Sequence, residues 1–218
     1  MPTVIEAELY EFRDWIFRFR PATVVPSRLL VLLHGWTGDE NSMWVFASKL
    51  PLQEAVLAPR APYTAPEGGY TWCEIQTGTV GLPTLDDLRP SVEGLIGFID
   101  DWSRTAGMNA NQFDLVGFSQ GAALSYTLAL IHPERIRVLA MLSGFIPVGA
   151  EDLLAKHPLA GKPVFIAHGR QDNMIPVEQA RRTVTLLDGA GARVTYCESE
   201  DGHKVSAACL SELTDILG

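Results

Sequence analysis

The chain has 218 residues, a formal net charge of −9, a hydrophobic fraction of 47% and 20% charged residues. That much apolar material can bury a sizeable core, which excludes a disordered chain, and the length suits one domain over residues 1–218. Acid outweighs base and Arg181-Arg182 is the densest basic pair, so neither nucleic acid nor an anionic membrane surface is expected as a partner.

Met1–Trp15 carries Glu6, Glu8, Glu11 and Asp14 and lacks a basic region followed by an apolar stretch, so it is not read as a signal peptide. Val4–Tyr10 and Trp15–Arg20 partly alternate with period two and suit antiparallel edge strands. Leu29–Leu33 is a continuous apolar run of the kind buried on both faces of a sheet, and too short to span a bilayer. Asn41–Leu50 reads as a helix and Ala55–Ala58 as a short strand stopped by Pro59. Arg60–Pro90 has little periodicity and reads as a long functional loop. A helix over Ser91–Thr105 follows from Val92, Leu95, Ile96, Ile99 and Trp102.

Strand Phe113–Gly117 then leads to helix Gln120–Ile131, and His132-Pro133 ends it. The remainder alternates: strand Ile136–Leu142, a short helix near Ala150–Lys156, strand Val164–His168, helix Pro176–Leu187, strand Val194–Cys197, helix Lys204–Leu217. Strands alternating with helices of about a dozen residues predict an α/β fold with a mostly parallel sheet covered on both faces. Cys73, Cys197 and Cys209 are odd in number, widely spaced and without metal-ligand spacing. They are read as reduced thiols, which with the missing leader and spans predicts a cytoplasmic protein without a metal. Gly189-Ala190-Gly191 leaves a helix and enters a strand, the reverse of a dinucleotide-binding turn.

Gly117-Phe118-Ser119-Gln120-Gly121 matches G-x-S-x-G between an apolar strand and a helix. So tight a turn strains the serine backbone and projects its hydroxyl above the C-terminal edge of the sheet, so Ser119 is the expected nucleophile. The alternative is a serine that merely caps the helix. A hydroxyl needs a base. Of the histidines after Ser119, His132 ends the helix, and among His157, His168 and His203 only His203 has a plausible acid between it and the serine. That acid is Asp172, four residues before Pro176 and so too early to cap the next helix; Asp201 and Glu200 are rivals by proximity. The expected oxyanion donors are the backbone N–H groups of Gln120, next after the serine, and Trp36, in the turn His34-Gly35-Trp36 after a buried strand.

Leu33-His34-Gly35-Trp36 with Gly38-Asp39, the Gly117–Gly121 elbow, His168-Gly169-Arg170-Gln171-Asp172 with Ile175-Pro176, and Gly202-His203 occur in an order that resembles the phospholipase/carboxylesterase family of α/β-hydrolases, acyl-protein thioesterases included. The resemblance implies a cofactor-free hydrolase of carboxylic esters, lysophospholipids or acyl thioesters. It implies Ser119, Asp172 and His203 as catalytic residues, with oxyanion amides from Trp36 and Gln120. Trp36 is bulkier than the aliphatic residue common there, and Thr37 adds a residue to the first motif. Only Ser143–Lys162 separates two adjacent strands, too little for a cap domain, so an open site is expected. Tyr63, Tyr70 and Trp72 would wall one side and Met174 and Ile175 the other, with Trp72 and Met174 as substrate contacts. The expected partner is a small ester or thioester.

Overall fold

The computed structural model describes residues 8–24, 28–50, 52–74 and 82–218. Residues 4–7 of the expected first strand lie outside them. The chain begins with a hairpin, β1 (Glu8–Phe12) and β2 (Trp15–Arg20), then β3 (Arg28–Leu33), α1 (Trp44–Ala47) and β4 (Glu54–Pro59). A two-residue pair, β5 (Tyr63–Thr64) and β6 (Tyr70–Thr71), precedes α2 (Leu85–Ala106), β7 (Phe113–Phe118) and α3 (Gln120–Ile131). Next come β8 (Ile136–Leu142), α4 (Glu151–Leu154), β9 (Pro163–Gly169), α5 (Val177–Gly189), β10 (Arg193–Ser199) and α6 (Ala207–Leu217).

Eight strands form one sheet in the order β1-β2-β4-β3-β7-β8-β9-β10. The first two pairings are antiparallel and the rest parallel. Side chains alternate across the sheet with period two. Leu29, Val31 and Leu33 of β3 join the core under α2 and α3, whereas Leu30 and Leu32 join the opposite core with α1 and α6. Leu115 and Val116 of β7 divide in the same way, as do Val164 and Phe165 of β9. Both faces are dry, which is why these strands read as unbroken apolar runs. Helix α3 lies between the sheet and α2 and is buried around its circumference from Gln120 to Leu130. Its buried hydroxyls bond back into the helix, Ser125 to the Gly121 carbonyl (2.8 Å) and Thr127 to that of Ala123 (2.9 Å).

Several local expectations are corrected. The helix expected over Asn41–Leu50 is a single turn, because Asp39 captures the amides of Asn41 and Ser42 in a tight turn ahead of it. The loop expected to reach Pro90 ends at Thr84, where Thr84 and Asp87 form a reciprocal capping box. Pro90 is tolerated inside α2 because it lies on the exposed side, where the carbonyl it leaves unpaired can meet water. The last helix starts at Ala207 rather than Lys204, capped by the Ser206 hydroxyl on the Cys209 amide (3.0 Å).

The cysteine reading is also overturned. Cys197 of β10 and Cys209 of α6 form a disulfide, and Cys73 is free and buried. A strand and the helix that folds back over it bring two distant thiols together, and this pairing removes the cysteine argument for a reducing compartment. Between β8 and β9 the described residues hold only the single turn α4. Among the described residues, no helix is long and apolar enough to cross a membrane.

Candidate active site

The C-terminal ends of β3, β7, β9 and β10 converge at one edge of the sheet, where parallel α/β sheets place their ligand crevices. Ser119 joins β7 to α3 with φ +54° and ψ −116°. Such a backbone costs about 1–3 kcal/mol and persists only where its surroundings enforce it. The enforcement is steric. A Cβ on Gly117 would lie 2.2 Å from the Gly121 carbonyl oxygen, and one on Gly121 would lie 2.3 Å from that of Leu33. Glycine at both positions lets the helix start press against β7 and the end of β3. Ser119 makes no side-chain capping bond, so the helix-cap alternative fails and its hydroxyl points elsewhere.

It meets His203. The Ser119 Oγ lies 3.0 Å from His203 Nε2, and His203 Nδ1 lies 2.7 Å from Asp172 Oδ2. His203 sits in the loop between β10 and α6, and its ring packs 5.0 Å from that of Phe118. The disulfide closes this loop from both sides, at Cys197 and Cys209.

The Asp172 side chain is wholly buried. Its Oδ1 accepts the amides of Met174 and Ile175, both at 2.9 Å, leaving Oδ2 for His203. Burial alone would raise its pKa, but the Ile175 amide, the imidazole and the Met174 amide together hold the carboxyl below its usual range. His168, also buried, donates from Nε2 to the Ile175 carbonyl (2.8 Å) and lies 3.4 Å from Asp172 Oδ2, fixing the same turn from beneath. The rivals face elsewhere: Asp201 pairs with Lys204 (2.9 Å) and Glu200 with Arg170.

Opposite stands the loop after β3. Burial holds His34 below the usual imidazole range, so the ring is neutral. It donates from Nδ1 to the Gly35 carbonyl (2.7 Å) and accepts the Ala61 amide on Nε2 (3.0 Å). Thr37, the residue added to this turn, takes φ +61°, a strained value for a β-branched residue. Gln120 begins α3, so its N–H has no carbonyl one turn back to bond. Its buried side chain accepts the Trp72 amide (3.1 Å) and donates to Thr71 Oγ1 (2.9 Å). Trp72 completes the tie by donating its indole N–H to the His34 carbonyl (2.8 Å).

Trp72 therefore does not wall an open site. It is fully buried against His34, because its N–H finds a partner beneath the loop rather than a substrate above it. Ile175 is likewise buried, its amide and carbonyl both engaged, whereas Met174 is 69% exposed. Tyr70 is held by Arg60, which donates to its hydroxyl (3.1 Å) and stacks over its ring. Burial pushes the Cys73 thiol up, which favours its protonated form. Among the described residues, no group of three or more His, Cys, Asp or Glu is placed to hold a metal ion.

A family model described as phospholipase/carboxylesterase matches residues 20–217. The chain belongs to the phospholipase/carboxylesterase family. Its members are hydrolases acting on ester bonds, and the fold is that of the α/β-hydrolases. Similar proteins include an acyl-protein thioesterase 1 from Debaryomyces hansenii, 27% identical over 90% of this chain and 91% of the relative. A probable inactive carboxylesterase from Oryza sativa subsp. japonica is 28% identical over 76% and 73%. Among solved structures, esterase PE8 is 27% identical, with a TM-score of 0.80 over 91% of this chain and 95% of the other. A Mesorhizobium loti carboxylesterase, 23% identical, shares the fold with a TM-score of 0.79 over 97% and 98%.

Three parts of this candidate site were not legible in the sequence. One is the Gln120 side chain, although a long polar residue opening a helix that is buried all round signals a buried hydrogen-bonding duty. Another is the pair His34, just after β3, and His168, near the end of β9, buried positions where a polar ring must find partners. The Cys197–Cys209 pairing left no local signal.

Proposed function

We propose that the chain is a serine hydrolase that cleaves carboxylic esters of short to medium acyl length through an acyl-enzyme. One observation carries this reading: the unbroken Ser119–His203–Asp172 hydrogen-bond chain, at 3.0 Å and 2.7 Å, beside a strained elbow. His203 Nε2 takes the Ser119 proton as Oγ bonds to the substrate carbonyl carbon. Charge moving to the carbonyl oxygen would be met by the amides of Trp36 and Gln120. The tetrahedral species then expels the alcohol, which leaves with the proton held by His203. Water, activated by the same imidazole, hydrolyses the acyl-enzyme and returns the proton to Ser119. Asp172 holds the Nδ1–H tautomer and stabilises the imidazolium.

The relative called probably inactive raises a different reading, a hydrolase fold that binds without catalysis. The intact hydrogen-bond chain argues against it here, and the strain at Ser119 would be wasted in a binding protein. The test is hydrolysis of short-chain esters, lysophospholipids and acyl thioesters side by side by wild type and His203→Ala. Turnover of the esters that falls by about 10⁴ or more in the variant is expected. Equal rates for the two proteins would defeat the reading, and preferential thioester cleavage would move the substrate class to thioesters.

A further inference from the structure

A cavity of about 400 Å³ opens between the loop after β3 and the segment that follows His203. Trp36, Met43, Val45, Phe46, Phe118 and Val205 line it. It adjoins the nucleophile: a Cβ on Gly35, which also lines it, would lie 3.2 Å from both the Phe118 ring and the Ser119 Cβ. Phe118 directly precedes Ser119 and packs on the His203 ring. Trp36 is 41% and Val45 67% exposed, large apolar surface held open to solvent next to reactive groups.

The polar side chains in the lining are already engaged. Thr37 Oγ1 donates to the Trp36 carbonyl (2.7 Å). Ser42 Oγ accepts the Asp39 amide (2.9 Å) and donates to its carboxylate (3.1 Å), and Lys204 is bound to Asp201 (2.9 Å). A ligand here would bury apolar surface without having to satisfy a wall hydroxyl. The direction of proton transfer decides which half of an ester it receives. His203 must hand its proton to the leaving oxygen, so the leaving group lies on the imidazole side of the reacting carbon. The far wall of the cavity, Lys204 and Val205, continues directly from His203.

We propose that this groove binds the alcohol half of the ester and selects alcohols with an alkyl or aryl body. The proposal rests on Ser119 as nucleophile. Its test is kcat/KM for acetates of methanol, ethanol, butanol and hexanol, set beside methyl esters of acids of matching length. The alcohol series should rise about two- to fourfold per methylene, fourfold being equivalent to about 0.8 kcal/mol, and the acyl series less. Val45→Glu, a change at an exposed position, should cost hexyl acetate about tenfold relative to methyl acetate and leave the slope of the acyl series as it was. Val45→Ser should flatten the alcohol series to a smaller degree, which keeps the comparison available if the charged variant misfolds. Ser119-dependent hydrolysis with no dependence on alcohol length, or flattening confined to the acyl series, overturns the groove assignment alone. Hydrolysis that persists in Ser119→Ala, or none of either series, overturns the nucleophile and the groove with it.

Discussion

Replacing Asp172 by Asn isolates the hydrogen-bond logic of the site, because the side chain's orientation is dictated from one end. Two backbone donors, Met174 and Ile175 at 2.9 Å each, require an acceptor at Oδ1. With the amide oxygen kept there, the new NH₂ faces His203 Nδ1 at the 2.7 Å position of the present Oδ2, and a donor meets a donor. The imidazole answers by moving its proton to Nε2, which then points an N–H at Ser119 and cannot take the hydroxyl proton. The reverse orientation keeps the productive tautomer but leaves the buried Ile175 amide and the part-buried Met174 amide unsatisfied, each at a cost of up to about 1–3 kcal/mol. That combined cost of about 2–6 kcal/mol populates the productive arrangement only one time in roughly 30 to 10⁴. Asp172→Asn should therefore lower kcat by up to about 10⁴ with KM little changed. Burst and steady-state kinetics on an activated ester measure this, and circular dichroism checks the fold. A folded Asn variant retaining most of the wild-type kcat would refute the assignment of Asp172 and the orientation argument with it.

Two further outcomes concern stability. Glu54 is fully buried at the start of β4, and burial, followed by the charge of Asp114, pushes its carboxyl up to about 7 despite Arg28 (3.3 Å) and Arg137 (3.6 Å). The folded state thus keeps a proton that the unfolded chain releases near 4.5, so this contribution is present below that pH and is lost as pH rises through about 7. At pH 8 the ionised group costs up to about 3 kcal/mol, so Glu54→Gln should raise the urea midpoint there and give no gain at pH 4.5. An equal change at both pH values would contradict the sign. The Cys197–Cys209 bond spans 12 residues, and loop-closure entropy for such a span is worth about 3 kcal/mol. The Cys197→Ser/Cys209→Ser variant should lose about 2–3 kcal/mol in urea unfolding under non-reducing conditions, and an unchanged midpoint would mean the bond does not form.

Much of this fold was legible because its strands are buried on both faces and its helices carry their own stop signals. Phe113–Phe118, Gln120–Ile131 and Ile136–Leu142 fall almost residue for residue where the apolar runs and His132-Pro133 put them. The convergence of Ser119, Asp172 and His203 could be expected for another reason: a parallel sheet delivers successive strand ends to one edge, so chain order maps onto proximity. What failed was set by partners distant in sequence or by side chains competing for backbone. Thr84 with Asp87 started α2 before Pro90, and Asp39 cut short the helix expected after it. Trp72 turned inward because the His34 carbonyl, 38 residues away, needed a donor. Cys197 and Cys209 meet only because α6 folds back over β10, a tertiary fact with no trace in spacing.

The most direct test of the account is a covalent one. Wild-type protein treated with a fluorophosphonate should gain one adduct, mapped by peptide mass spectrometry to Ser119, and Ser119→Ala should gain none. An adduct on another residue, or no adduct on folded wild-type protein, would contradict the claim that Ser119 is the nucleophile.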